Sequence, residues 1–376
     1  MSLMQLLAQE LVDITIDFLH DDKPSLRACS LVCTRWVNSA HYHLFYGHRV
    51  EARHDQGGYA EQFKKPSTDP LRSYIRELTL AAGPIHSLSP ELTEDIVVLA
   101  LERLPRLRSL KLRQTGFITP GLLAESRNSY DLERLSISWM YPSIPGSGHS
   151  LVSLLSMFHT VRVLDLDVIH HKHLSGSAVS SADSGDRSLR SLRVQTIQLH
   201  DISEALITSI QATIRPEYLQ AIRASITATD DIQHLGTLIR CVAPCLQELQ
   251  ISLWNFWCGD RADWKTLQLM CCTRLRCVTI LYANCGPFYN WYTVLDILRV
   301  VPASVEEVTL VIREVRCLDT VDWDRMNAEL KRFIRLRALR FALCTGDTFR
   351  YRTIGDKAQE LIRTALPEWR IKGVLW

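Results

Sequence analysis

Residues 246–251 read LQELQI, and the frame they make, apolar-x-x-apolar-x-apolar, decides the fold. Leu249 and Ile251 stand two apart, as the inward residues of a strand do, and Gln250 between them faces the other side. Outward from this copy the frame recurs. Before it come IRELTL from Ile75, LRSLKL from Leu107, LERLSI from Leu132, VRVLDL from Val161, LRSLRV from Leu189 and LQAIRA from Leu219. After it come LRCVTI from Leu275, VEEVTL from Val305, LRALRF from Leu336 and IKGVLW from Ile371. Successive copies lie 25 to 35 residues apart, which is the spacing of a stacked repeat.

Helical segments fill the intervals. SPELTEDIVVLALERLP, Ser89 to Pro105, has a Ser N-cap, a proline at the first helical position and acids in the first turn. Its apolar residues keep helical spacing until Pro105 stops it. DISEALITSIQATIRP, TDDIQHLGTLIRCVAP, TVLDILRVVP and KAQELIRTALP repeat that formula. A strand, a turn, a helix and a return have no core of their own; stacking supplies one. The expected class is α/β, a βα solenoid of about 10–11 units over residues 71–376, curved as a horseshoe with a parallel sheet on its concave side. These units resemble leucine-rich repeats of the long, helix-containing kind. They are degenerate, because the position that usually holds Asn or Cys is Thr115, Thr227 or Cys344 in some copies and Met140, Ile169, Trp254 or Arg313 in others.

Residues 1–48 read differently. LLAQELVDITIDFLHDDKPSLRACSLVCTRW, residues 6–36, breaks into three short amphipathic pieces. The first carries two apolar stripes, Leu7, Leu11, Ile14 and Phe18, and beside them Val12, Ile16 and Leu19, where a surface helix needs only one. A module this small does not bury that much apolar surface by itself. The order resembles the F-box: Leu7, Glu10, Leu11, Val12 and Ile14, an acidic break, then Leu26 and the string Leu31, Val32, Cys33, Arg35, Trp36. Where that family commonly has proline this chain has Ala8. The resemblance implies docking on the Skp-family adaptor of cullin–RING ubiquitin ligases through Leu7, Glu10, Leu11, Ile14, Leu31, Val32, Cys33 and Trp36. It further implies an unknown protein substrate held by the repeats. The other expectation is a non-catalytic repeat scaffold, or an adaptor-binding protein acting outside a ligase. Residues 49–70, with DQGGYAEQFKKPSTDP, read as a linker.

Strand alternation places a polar row on the exposed sheet face: Lys111, Ser136, Asp165, Arg193, Arg223, Gln250, Thr279, Thr309 and Arg340, with Arg113, Asp167, Gln195 and Ser225 beside it. Lys111, Arg113, Asp165, Asp167, Arg193 and Arg223 are the candidate substrate contacts. Trp254, Phe256, Trp257 and Trp264 read either as a ligand lip at the rim or, the preferred expectation, as packing of a wide turn, and His170 to His173 open a Ser/Gly/Asp-rich loop.

Net charge is +2, from 43 basic and 41 acidic residues, which gives no pull toward nucleic acid or anionic lipid. No apolar run approaches ~18 residues and no signal-peptide pattern opens the chain, so the expected location is intracellular, cytoplasm and/or nucleus. The 11 cysteines are scattered through apolar strings and read as reduced core residues. Cys241 with Cys245, or Cys271, Cys272 and Cys277, lack zinc spacing, so neither metal nor cofactor is expected. No nucleophile elbow, P-loop, dinucleotide fingerprint or zinc-protease motif occurs, and the chain is not expected to be an enzyme.

Overall fold

The computed structural model describes residues 8–52, 69–82, 92–113, 117–118, 130–140, 150–169, 192–253, 256, 262–282, 291–344 and 351–371. It divides into two compact units, Met1–Phe158 and His159–Trp376. Both are α/β with mostly parallel strands, as a βα-repeat chain requires.

The first unit opens with α1 (Gln9–Asp17), α2 (Lys23–Ser30) and α3 (Thr34–Phe45). Asp22 caps α2 by accepting from the Ser25 N–H at 3.1 Å, and Pro24 sits in its first turn, where the missing N–H has no partner to lose. One stripe of α1, Val12 and Ile16, is buried with Leu26, Cys29 and Ala40, and Leu19, Trp36 and Leu44 pack against that cluster. A second, polar stripe ties α1 to α3. Gln9 donates to the Arg35 carbonyl at 3.2 Å, Ser39 donates to Asp13, and Asp17 meets His43 at 2.7 Å. The Ser39 hydroxyl and then the Gln9 amide hold the Asp13 carboxyl below its ordinary range.

From α3 the chain passes directly into β1 (Gly47–Ala52), which pairs in parallel with β2 (Glu77–Ala82), Val50 beside Leu80. This corrects the linker expected over 49–70. Its first residues are sheet, a short helix Asp69–Arg72 closes it, and residues 53–68 lie outside the described ones. β3 (Leu92–Thr93) precedes the helix Glu94–Arg103, so the helix expected from Ser89 starts later. β4 (Ser109–Arg113) follows, then β5 (Phe117–Ile118), which pairs with β3, and β6 (Tyr130–Met140). β2, β4 and β6 are parallel neighbours in that order.

In the second unit β7 (Phe158–Ile169, beginning at the boundary), β8 (Arg193–Leu199), β9 (Ala221–Ser225), β10 (Glu248–Ser252), β11 (Cys277–Tyr282), β12 (Glu307–Ile312) and β13 (Ala338–Cys344) lie side by side in chain order, all parallel. The inward pair of each frame is buried; Leu249 and Ile251 show the pattern. Two frames need correction. Ile197 pairs with Leu164 and with Ile222, so the working frame of β8 is VQTIQL from Val194, five residues beyond LRSLRV. At the far end, β14 (Tyr351–Thr353) joins β13 antiparallel. Ile371 ends the helix Pro367–Ile371, so IKGVLW does not begin as a strand, and the rest of it lies outside the described residues.

The expected helices appear as Glu204–Thr213, Thr229–Val242, Tyr292–Val300 and Asp356–Ala365, with Trp323–Leu330 in addition. After β10 two 3-10 turns, Trp264–Leu267 and Leu269–Cys271, stand where other repeats have an α-helix. The helix Thr229–Val242 is fixed at its start by buried Asp231, whose carboxylate accepts from the N–H groups of Thr227 (2.7 Å) and Ala228 (2.9 Å) and from the Thr227 hydroxyl (3.0 Å). Asp231→Asn keeps the shape and weakens these charge-assisted bonds, so a loss of about 1–2 kcal/mol is expected in urea unfolding. An unchanged midpoint would show that the carboxylate does not hold this turn.

Candidate functional site

The third stripe of α1 faces solvent. Leu11, Ile14 and Phe18 are 52 %, 51 % and 83 % exposed, and at the α2–α3 turn Leu31 and Val32 are 86 % and 47 % exposed. Six of the eleven large apolar side chains exposed among the described residues fall between Leu11 and Tyr42. Exposed apolar residues scattered singly need no account, whereas a concentration on one small module marks an interaction surface. Glu10, on the same helix, is exposed as well.

Two of the expected adaptor contacts behave otherwise. Trp36 is half-buried against the helical core and its indole N–H is enclosed, because the third helix turns that ring inward to wedge α1 against α2. Cys33 is half-buried at the N-cap of α3. Leu7 lies outside the described residues. Phe18, absent from the expected contacts, is the most exposed residue of the α1 stripe; its i+4 spacing from Ile14 was the signal.

The polar row of the sheet is in register. In the first unit Lys111 pairs with Thr79 and Ser136. Lys111 lies 3.5 Å from the Glu77 carboxylate, and Arg113 is exposed. In the second unit Asp165, Gln198, Arg223, Gln250, Thr279, Thr309 and Arg340 are successive partners. Gln198 therefore takes the place expected for Arg193. Arg193 sits beside Thr160 at the start of β8, its guanidinium 5.0 Å from the centre of the Tyr218 ring.

The row is less open than alternation alone implied. Asp165, Gln198, Gln250 and Thr309 are buried, because side chains on strands ~4.8 Å apart shield one another. Asp165 lies 3.3 Å from His200, and Asp167 is half-buried. The neighbouring row turns apolar along the sheet: Ser225 and Ser252, then Leu281, Val311 and Ala342, a small buried cluster with Cys344. Half-buried Arg223 has no hydrogen-bond or ion-pair partner among the described residues. Beside it the Gln250 amide nitrogen and the Ser252 hydroxyl are buried and unpartnered. Together these groups can engage a carbonyl or a carboxylate.

The thiols point to packing. Burial raises Cys272 to about 12; burial, with Glu307 and Glu248 nearby, raises Cys277 to about 11. Both are protonated at neutral pH, as packed core thiols are. Among the described residues no group of three His, Cys, Asp or Glu side chains is placed to hold a metal ion. One cysteine departs from the expected reduced state: Cys317 is disulfide-bonded. Phe256 and Trp264 pack together, ring centres 5.5 Å apart and both buried. Trp254, Trp257 and His170 to His173 lie outside the described residues. Among the described residues no helix is long and apolar enough to cross a membrane. No protein-family model matches this chain, and no curated protein matches its sequence.

Proposed function

We propose that this chain is the substrate-recognition subunit of an SCF-type ubiquitin ligase. Residues 8–45 act as an F-box, docking on the Skp-family adaptor and through it on cullin, and the βα units hold a protein substrate. The observation that carries this reading is the division of labour on α1. Val12 and Ile16 complete the module's own core while Leu11, Ile14 and Phe18, a few residues away, stay exposed. Buried on a partner, each such side chain would contribute about 1.5–3 kcal/mol, and with Leu31 and Val32 they form the apolar centre that a stable interface needs. Arg223, Gln250 and Ser252 are the polar groups offered to a substrate. The chain itself performs no catalytic step in this scheme.

Co-expression with a Skp-family adaptor followed by gel filtration tests the first half. A stoichiometric complex that also captures cullin is expected. A chain that elutes alone overturns the proposal, and an adaptor complex that never recruits cullin places the protein outside a ligase.

A further inference from the structure

The polar face of the second unit's sheet closes along its own strands. On β10 the residues of that face are Glu248, exposed, then Gln250, buried, then Ser252, wholly buried. On β11 they are Cys277 and Thr279, both half-buried, and then Leu281, wholly buried. On β12 half-buried Glu307 is followed by Thr309 and Val311, both buried. The three strands are in register, so the gradient is shared. The face is open where the strands begin and covered where they end. A group that enters over Glu248 therefore meets a wall four residues on, about 13 Å along the strand.

Arg223 stands halfway along that gradient on β9, between Gln198 and Gln250, with no ion pair or hydrogen bond among the described residues. Other charges of the row are matched: Asp165 lies 3.3 Å from His200, and Arg340 lies 2.8 Å from Glu307. Beside Arg223 the Gln250 amide nitrogen is buried without a partner, and so is the Ser252 hydroxyl, one step further in. Buried polar side chains are bonded in nearly every native protein, so two of them next to an unmatched guanidinium mark a place where acceptors arrive. A guanidinium, an amide N–H and a hydroxyl all donate. One uncompensated positive charge asks for a monoanion. A carboxylate has that charge and meets a guanidinium fork with both oxygens, whereas a phosphate monoester, at roughly −1.5 to −2, leaves charge unmatched.

We propose that Arg223 and Gln250 bind the free C-terminal carboxylate of a partner protein. An aspartate or glutamate inside a chain carries the same group, but its main chain runs on in both directions, and here the sheet face is closed beyond Gln250 by Ser252, Leu281 and Val311. A chain end has nothing beyond its carboxylate and fits a blind recess. The residues before it lie back toward Glu248, where the face is open. The inference names the substrate class of the receptor proposed above and rests on that reading for its role.

The test is fluorescence anisotropy on the full chain with three degenerate peptide pools. One ends in a free carboxylate, one in a carboxamide, and one in a carboxamide with a fixed glutamate near the end. The free-acid pool is expected to bind about tenfold tighter than either amide pool. Arg223→Gln is expected to erase that preference with Tm unchanged, since the arginine has no partner to lose. Gln250→Glu, which hands Arg223 a carboxylate from the neighbouring strand, is expected to erase it as well. Equal binding of the free-acid and plain amide pools, or a preference that survives in Arg223→Gln, overturns the proposal. So does glutamate-pool binding as tight as that of the free acid, which would assign the recess to an acidic side chain. Adaptor co-elution is measured on the same preparations. A chain that prefers the free acid through Arg223 but binds no adaptor keeps this site and loses the ligase reading; the converse result loses the site alone.

Discussion

The double substitution Leu11→Asp/Ile14→Asp is expected to weaken adaptor binding by on the order of 10³-fold while leaving the protein folded. Both side chains are more than half exposed in the free chain, so the change removes little packing, and substitutions at such positions move stability by about ±0.5 kcal/mol. In the complex the same positions would be covered. A carboxylate carried there loses its hydration and finds no cation supplied by its own helix, since α1 (QELVDITID) contains no basic residue. Each position is assigned about 2 kcal/mol as a buried anchor. Val12→Asp or Ile16→Asp should also lose the adaptor, but by another route, because these residues are 1 % and 0 % exposed and the module would unfold. Near-ultraviolet circular dichroism separates the routes: a native spectrum for Leu11→Asp/Ile14→Asp, a lost one for Val12→Asp. If the exposed pair of substitutions leaves adaptor binding at wild-type strength, the docking surface is elsewhere.

That experiment depends on a distinction the sequence carried only in part. Two apolar periodicities on α1 were visible as spacing, but which of them faces the core is decided by α3. Gln9, Asp13 and Asp17 meet Arg35, Ser39 and His43, and this polar stripe fixes the rotation of the helix. Trp36 looked like an anchor because it is large and apolar; its place in the wedge depends on a cluster that α1 and α2 supply, with Val12, Ile16, Leu26 and Cys29. The frame was legible wherever two strong apolar residues flank a polar one, which is why strand after strand falls where LxxLxL predicts. β1 was not legible, since among its described side chains only Val50 is buried and its pairing with β2 supplies the rest. LRSLRV and VQTIQL overlap as equally good frames, and only backbone pairing with β7 and β9 chooses between them.

Gly236→Ala is expected to destabilise the second unit by about 3 kcal/mol, the reverse of what this change does in an ordinary helix. Gly236 lies inside the helix Thr229–Val242, where alanine normally gains about 1 kcal/mol through its helix propensity. Here a Cβ would stand 2.0 Å from the Thr266 carbonyl oxygen and 2.9 Å from its carbon. Those are backbone atoms, so no rotamer change relieves the clash, and the 3-10 turn Trp264–Leu267 must move by about 1 Å or more. That turn is pinned, with Trp264 and Leu267 buried and Trp264 packed on Phe256. The unit's length sets the readout. A loss of this size lowers the Tm of a domain of about 200 residues by roughly 6–12 °C, well within reach of scanning calorimetry. Gly355→Ala is the control, because nothing lies within 4 Å of a Cβ there and its φ of −71° suits any residue. A Gly236→Ala protein as stable as wild type would mean that the 3-10 turn does not close on this helix. The repeat after β10 would then be held by something other than the contact described here.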